Sequence, residues 1–447
     1  LNPGEERALG ALAQEQLEYL GGHAVTSMTQ LPTDLSSIQG RRRLWIVVLE
    51  PRRVGDALHM NMRFASARSI RHGQPLSWDR HEAPPLPPAQ AMEAFLRAFP
   101  APVPVASNPL VPTSTEVFWT LIRASALRLR NADIDEAMAL AERATQADPT
   151  CATSWLLLGN LHYRQTLNNP SAFRRERADT EALFQRALAL APHHARAVFL
   201  LSLIQSDAGN HREALDLLVA ARKHQPANPT LLTGVAYAGR GAGLLPLARR
   251  AMDLRDELAL AQFSPQALDI TCLYTGEVAR FEASLREQPG HLRSTGGVLP
   301  FYRGYLALLR GQEALAHEEF HRAAFLQGSY PNMQRLSAIY DLILEGRKAE
   351  ALAAVKAFDQ ERVGMQEPDG EFTIRLAEAY ALIGDRGTAM EMCARAFARG
   401  FGCTEWYEKS PLLASLRDLP RWKSLIQHLK ERQGLMQERF PLSVLDA

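Results

Sequence analysis

Long apolar runs, paired cysteines, glycine-rich phosphate loops and net charge are all scarce in this 447-residue sequence, and most of these shortages remove a class of function. The longest apolar runs, residues 44–49 and 198–204, fall far short of the roughly 20 residues needed to cross a bilayer. Four cysteines, Cys151, Cys272, Cys393 and Cys403, form no C-x-x-C pair and no metal-ligand cluster, so they neither require an oxidising compartment nor exclude one. G-x-S-x-G, Walker A and G-x-G-x-x-G strings do not occur, so serine hydrolases, nucleotide hydrolases and dinucleotide enzymes lack their nucleophile or phosphate chemistry. With 50 Lys and Arg against 49 Asp and Glu the formal net charge is +1, and no overall field would gather nucleic acid or anionic lipid. The chain starts at Leu1 without a signal-peptide pattern, which is the expectation for a segment of a longer precursor whose targeting and membrane parts lie elsewhere.

Glycine, by contrast, recurs at a fixed interval. Residues 209–218 read GNHREALDLL, and comparable strings begin at Gly311, Gly346 and Gly384. Each has alanine five residues after its glycine, Ala214 after Gly209 and then Ala316, Ala351 and Ala389. The residues between vary freely, so the turn at Gly209 reads as solvated and His211 as an exposed turn residue. Glycines 209, 243, 276, 311, 346 and 384 are 34, 33, 35, 35 and 38 residues apart, a period that identifies a repeat array. Pro192 and Pro226 end consecutive 34-residue units. The unit before them carries Trp155 and Gly159, then Phe184, with an insertion of about nine residues around 168–177. A later unit places Phe320 four residues after Ala316. Small residues let two antiparallel helices approach, a large one fills the space to the next unit, and proline stops the second helix. Seven or eight helical hairpins are predicted.

A proline-rich stretch, 100–114, reads as an extended linker. Before it the order is α-β-α-β-β-β-α: a helix over 5–20, a short strand at 23–28, a short helix at 31–38, strands at 43–49 and 57–65 joined through 50–56, a third strand near 74–80, and a helix at 89–99. The fold class is therefore mainly α, a small α+β domain at 1–99 and the linker preceding an α-solenoid at 115–399, with a closing segment at 400–447.

The 115–399 region resembles tetratricopeptide-repeat (TPR) domains. Residues 44–69, LWIVVLEPRRVGDALHMNMRFASARS, together with the element order, look like the FlgO/TolB-amino-terminal type of α+β domain. GFGCTEWYEKSPLLASLRDLPRWKSLI at 400–426 is similar to the closing segment of repeat arrays in bacterial regulators, where Trp406, Leu413, Leu416 and Trp422 would cover the last hairpin. The combination resembles the sensory half of CadC-like membrane-anchored winged-helix regulators and the regulatory tail of bacterial Ser/Thr kinases. That resemblance implies a sensory, non-catalytic interaction module without cofactor, in the periplasm for a CadC-like protein or else in the cytoplasm. Its partner would be a protein or peptide, with a small-molecule signal as a further option, and membrane attachment would come only through a segment outside this chain. A scaffold without a sensing role is the alternative.

One catalytic string stands out. His317-Glu318-Glu319-Phe320-His321 is a literal H-E-x-x-H, whose histidines at i and i+4 could hold zinc while a glutamate activates water. The same residues lie in repeat register, no third ligand is evident downstream, and a metalloprotease would need a strand-bearing catalytic domain. No metal is therefore expected, and a zinc hydrolase through His317 and His321 is the remote alternative. His193-His194 falls in a turn between hairpins, where a solvated or capping role is expected. Arg41–Arg43 and Arg174, Arg175 and Arg177 read as solvated charge runs.

Overall fold

The computed structural model describes residues 1–22, 25, 44–70, 76–101, 103, 108–130, 133–168, 170–258, 270–286, 297–326, 331–365 and 369–446. The strand and helix expected at 23–28 and 31–38 and the arginines 41–43 lie outside these residues, apart from Val25.

The first helix, Pro3–Gly21, begins with a capping box: the Asn2 side chain accepts from the Gly4 and Glu5 amides while Glu5 accepts from the Asn2 amide. Strands β1 (Trp45–Val54), β2 (Ala57–Ser66) and β3 (Asp79–His81) form an antiparallel meander in that order. The residues 50–54, expected as part of the connection, are strand instead, paired with 57–61; among the described residues β1 lies at the sheet edge, where Pro51, opposite Met60, is tolerated. Gly55 turns the hairpin with φ +60°. Leu58, Met60 and Met62 alternate inward from β2, against Leu9, Leu12 and Leu17 of the first helix and Met92, Phe95 and Leu96 of helix Pro88–Ala98.

The same core continues past the proline-rich stretch into helix Thr115–Arg130 through Phe118, Trp119, Ile122 and Ala126. Trp119 donates its indole N–H to the Asp56 carbonyl at 3.0 Å, and Arg53 lies over its ring.

The rest is an α-solenoid of helical hairpins. Among the described residues there are eight: Thr115–Arg130 with Ile134–Ala147, Ala152–Asn168 with Pro170–Leu190, Ala195–Asp207 with His211–Arg222, Pro229–Gly241 with Leu245–Leu258, Ile270–Thr275 with Val278–Arg286, Val298–Leu309 with Glu313–Phe325, Pro331–Leu344 with Lys348–Met365, and Gly370–Ile383 with Arg386–Ala398. Gly209, Gly243, Gly276, Gly311, Gly346 and Gly384 turn six of them, all left-handed, with φ between +69° and +104°, a backbone that costs other residues about 1–2 kcal/mol.

Ala214, Ala316, Ala351 and Ala389 are wholly buried on the second helices, as are Phe184 and Phe320. A Cβ on Gly159 would lie 2.8 Å from the Phe184 ring, and one on Gly304 would lie 3.1 Å from Phe320. One contact thus spans 25 residues in the first case and 16 in the second. The nine extra residues lengthen the two helices of that hairpin to 17 and 21 residues. Trp155, on the first of these, is only half-buried and donates its indole N–H to the Pro149 carbonyl at 3.0 Å. Pro192 and Pro226 stand in the turns that follow second helices.

After the last hairpin come helix Thr404–Lys409, the 3-10 turn Pro411–Leu416 and helix Pro420–Arg439. No helix among the described residues is long and apolar enough to cross a membrane.

Candidate functional site

Two different surfaces occupy the inside of the array, and both are built by the first helices of its hairpins. Towards the C-terminus the inner surface is filled by a buried network. Arg375 is 2% exposed and Glu378 is fully buried; they pair at 3.2 Å. Arg375 donates to the Tyr305 hydroxyl and, at 2.7 Å, to the Tyr274 hydroxyl. Those hydroxyls donate onward, Tyr305 to Glu378 at 2.7 Å and Tyr274 to Glu371. Tyr340 donates to the Arg375 carbonyl at 2.9 Å. Glu371 also takes the Arg240 guanidinium at 3.0 Å, across 131 residues of sequence.

Into this network the closing segment inserts Trp406, whose indole N–H donates to Glu378 at 2.8 Å, and Ser410, whose hydroxyl donates to the same oxygen at 3.2 Å. The Arg375 guanidinium lies over the rings of Tyr305 and Trp406. Burial pushes the tyrosine hydroxyls well up, so all stay protonated donors. With Arg375, Tyr305, Trp406 and Ser410 all donating to it, Glu378 is a saturated carboxylate that holds the closing helix.

The closing segment also reaches the third and fourth hairpins. The Gly402 amide donates to the Gly241 carbonyl at 2.7 Å, and Gln433 donates to the Gly243 carbonyl at 2.7 Å. Arg222 donates to the Val444 and Leu445 carbonyls, while Arg439 pairs with Asp216 through both carboxylate oxygens. Trp406, Tyr407, Leu413, Leu416 and Trp422 are all buried, in one core with Tyr380, Ala389 and Ala396.

This return corrects the sequence-based reading of Gly209 and His211 as a solvated turn. Gly209 does turn its hairpin, with φ +82°, but it is half-buried, and a Cβ there would lie 2.7 Å from the Arg399 carbonyl oxygen. The glycine is therefore required twice, by its backbone conformation and by a second stretch of main chain laid against it. Gly311, Gly346 and Gly384 meet only the first requirement, since nothing lies within 4 Å of their Cβ positions. The His211 ring is half-buried as well, with Nδ1 sealed and lacking a hydrogen-bond partner. It is packed so closely that a Cβ on Gly241 would overlap its Cε1. Burial, helped by Arg432, pushes its pKa down to about 4. The physical reason for both departures is the same: residues 399–402 cross over the turn, and that contact is invisible within a single repeat.

Towards the N-terminus the inner surface receives helix Pro3–Gly21. Asn228 donates to Glu18 at 3.3 Å, Glu15 lies 3.7 Å from Arg196, and Tyr19 tilts against His194. His194 caps helix Ala195–Asp207, its Nδ1 accepting from the Ala197 amide, while His193 stacks on His224 at 3.8 Å. Between the first helix and the array a pocket remains, lined by Glu15, Ser125, Arg128, Asn160 and Arg196 among others. Burial lowers the Arg128 pKa to about 9; Arg196 and Arg164 add like charge, and Glu15 opposes them.

His317 and His321 lie on the outer side of helix Glu313–Phe325, half exposed. Where no third ligand was evident in the sequence, the fold brings carboxylates close: Asp341 and Glu345, from the next hairpin, stand 3.3 and 3.5 Å from His317 Nε2. Their spacing along the sequence is set by hairpin stacking and has no local motif. The inner network was likewise not read from the sequence, though its signal exists. Tyr237, Tyr274, Tyr305 and Tyr340 recur on four successive first helices, and Arg375 and Glu378 form an i, i+3 pair on the helix that also carries Glu371.

No protein-family model and no curated protein matches the chain. Among solved structures, the TPR domain of P58(IPK) matches at 13% identity over 72% of this chain and 100% of that one, with a TM-score of 0.20.

Proposed function

We propose that this chain is a non-catalytic sensory and interaction module of a bacterial signalling protein, of the CadC-like regulator or Ser/Thr kinase kind, and that its partner is an acidic peptide segment taken up at the N-terminal half of the array. A periplasmic position accompanies the CadC-like reading. The domain division at 1–99, 100–114, 115–399 and 400–447 is part of this proposal.

The observation that carries it is the division of the inner surface. One half is locked by Trp406 and Glu378. The other already accommodates a helix of the chain itself and retains a pocket whose lining sets two guanidinium groups, Arg128 and Arg196, against a single carboxylate, Glu15. A partly desolvated site with more cations than anions favours an incoming carboxylate.

A fluorescent helical peptide with glutamates at i and i+4, titrated at low salt, tests the reading. Arg128→Gln and Arg196→Gln should each weaken binding about tenfold or more, while Arg143→Gln, on an exposed second-helix position, should not. Equal binding of the lysine-substituted peptide, or indifference to both pocket variants, would sink it.

A further inference from the structure

We infer that His317, Asp341 and Glu345 bind one zinc-type divalent cation across the joint between two successive hairpins, with His321 holding Asp341 in position.

Geometry carries the inference. The three ligand atoms lie within 4.8 Å of one another. His317 Nε2 is 3.3 Å from Asp341 Oδ1 and 3.5 Å from Glu345 Oε1. Tetrahedral ligands about 2.0–2.1 Å from zinc stand about 3.3–3.4 Å apart, so these separations suit two edges of such a site. They do not suit a hydrogen bond: despite their closeness, both His317 Nε2 and Asp341 Oδ1 are buried atoms without a hydrogen-bond partner. Two buried polar atoms this close, each without a hydrogen-bond partner, are atoms that a third species would satisfy.

Asp341 is 7% exposed, which makes an uncompensated carboxylate oxygen there costly. Its other oxygen, Oδ2, is 2.9 Å from His321 Nδ1. An imidazole N–H on the outer oxygen of a ligating carboxylate fixes that carboxylate's orientation. Glu345 divides in the same way, with Oε2 accepting from Arg347 at 2.7 Å and Oε1 facing His317.

The histidines of the H-E-x-x-H string therefore have different roles. One ligates, the other orients. Imidazole nitrogen with two carboxylate oxygens is a donor set that suits zinc. Because the ligands come from helix Glu313–Phe325 and from the end of helix Pro331–Leu344, the ion would tie one hairpin to the next.

The test uses the whole chain, freed of metal with chelator and dialysed, then titrated with zinc chloride alone. Bound metal is counted by mass spectrometry after gel filtration, and melting is followed with and without zinc. The expected result is one zinc per chain at micromolar affinity or tighter, with a melting temperature raised by zinc. His317→Ala and Glu345→Gln, both at exposed or half-exposed side chains, should melt like the wild type in chelator yet lose stoichiometric zinc and the zinc-induced rise. His321→Ala should keep the stoichiometry but bind about 10–100-fold more weakly, as expected when an orienting partner is removed. No binding below about 100 µM zinc, or one zinc retained by both ligand variants, overturns the proposal.

Discussion

Glycines with the same backbone in this array differ in what surrounds them. Gly311 has φ +69° and open space where a Cβ would go; Gly243 has φ +83°, and its Cβ would overlap the Gly402 carbonyl oxygen. Gly311→Ala should therefore cost about 1 kcal/mol, the left-handed penalty alone. Gly243→Ala should cost clearly more, because backbone rather than a pliable side chain blocks the new atom. Urea denaturation compares the two, and equal losses would show that residues 400–402 do not rest on that turn. His211 is the other residue whose setting matters. Its pKa falls from 6.5 to about 4 on folding, so as pH drops below about 6.5 the unfolded chain takes up a proton that the folded chain refuses. Stability is then lost towards pH 4, at up to about 1.4 kcal/mol per pH unit. His211→Ala should lower stability at neutral pH by about 1–2 kcal/mol through lost packing, and should flatten the acid loss between about pH 6.5 and 4. An unchanged acid slope in the variant would assign that slope to other groups.

At the scale of the element, each hairpin depends on the close approach of its two helices. Ala214 and Ala389 are wholly buried at such contacts, whereas Leu315, one residue before the equivalent Ala316, is 45% exposed. A glutamate at either alanine is both too large for the gap and desolvated, so Ala214→Glu and Ala389→Glu should each cost about 3 kcal/mol or more. Leu315→Glu, facing solvent, should stay within about 0.5 kcal/mol. A melting series that reversed this order would break the repeat register. The same register accounts for the long second hairpin: nine inserted residues extend both helices, and the Gly159–Phe184 contact keeps the geometry of Gly304–Phe320.

For the whole molecule the closing segment decides the shape. Removing 400–447 would take Trp406 and Ser410 from Glu378, the Val444 and Leu445 carbonyls from Arg222, and Leu413, Leu416 and Trp422 from the last hairpin. A buried ion pair stripped of partners and an uncovered apolar face both oppose folding. The truncated chain should aggregate or bind a hydrophobic dye, while limited proteolysis of the intact chain should spare most of 400–426. Rapid cleavage there with a soluble, equally stable remainder would show that the segment covers nothing. The sequence alone determined the helical hairpins, the period of their six glycines and the presence of a β1–β2 hairpin, because those rest on local contacts that residue spacing records. Tertiary structure decided what no spacing encodes: Arg240 meeting Glu371, Gly209 and His211 covered by Arg399 and Gly400, and His317 facing Asp341 and Glu345. Those pairings follow from how far each hairpin rotates on the next. Small rotations summed over eight units bring distant residues together or keep them apart, and the sum is fixed only when the chain closes on itself.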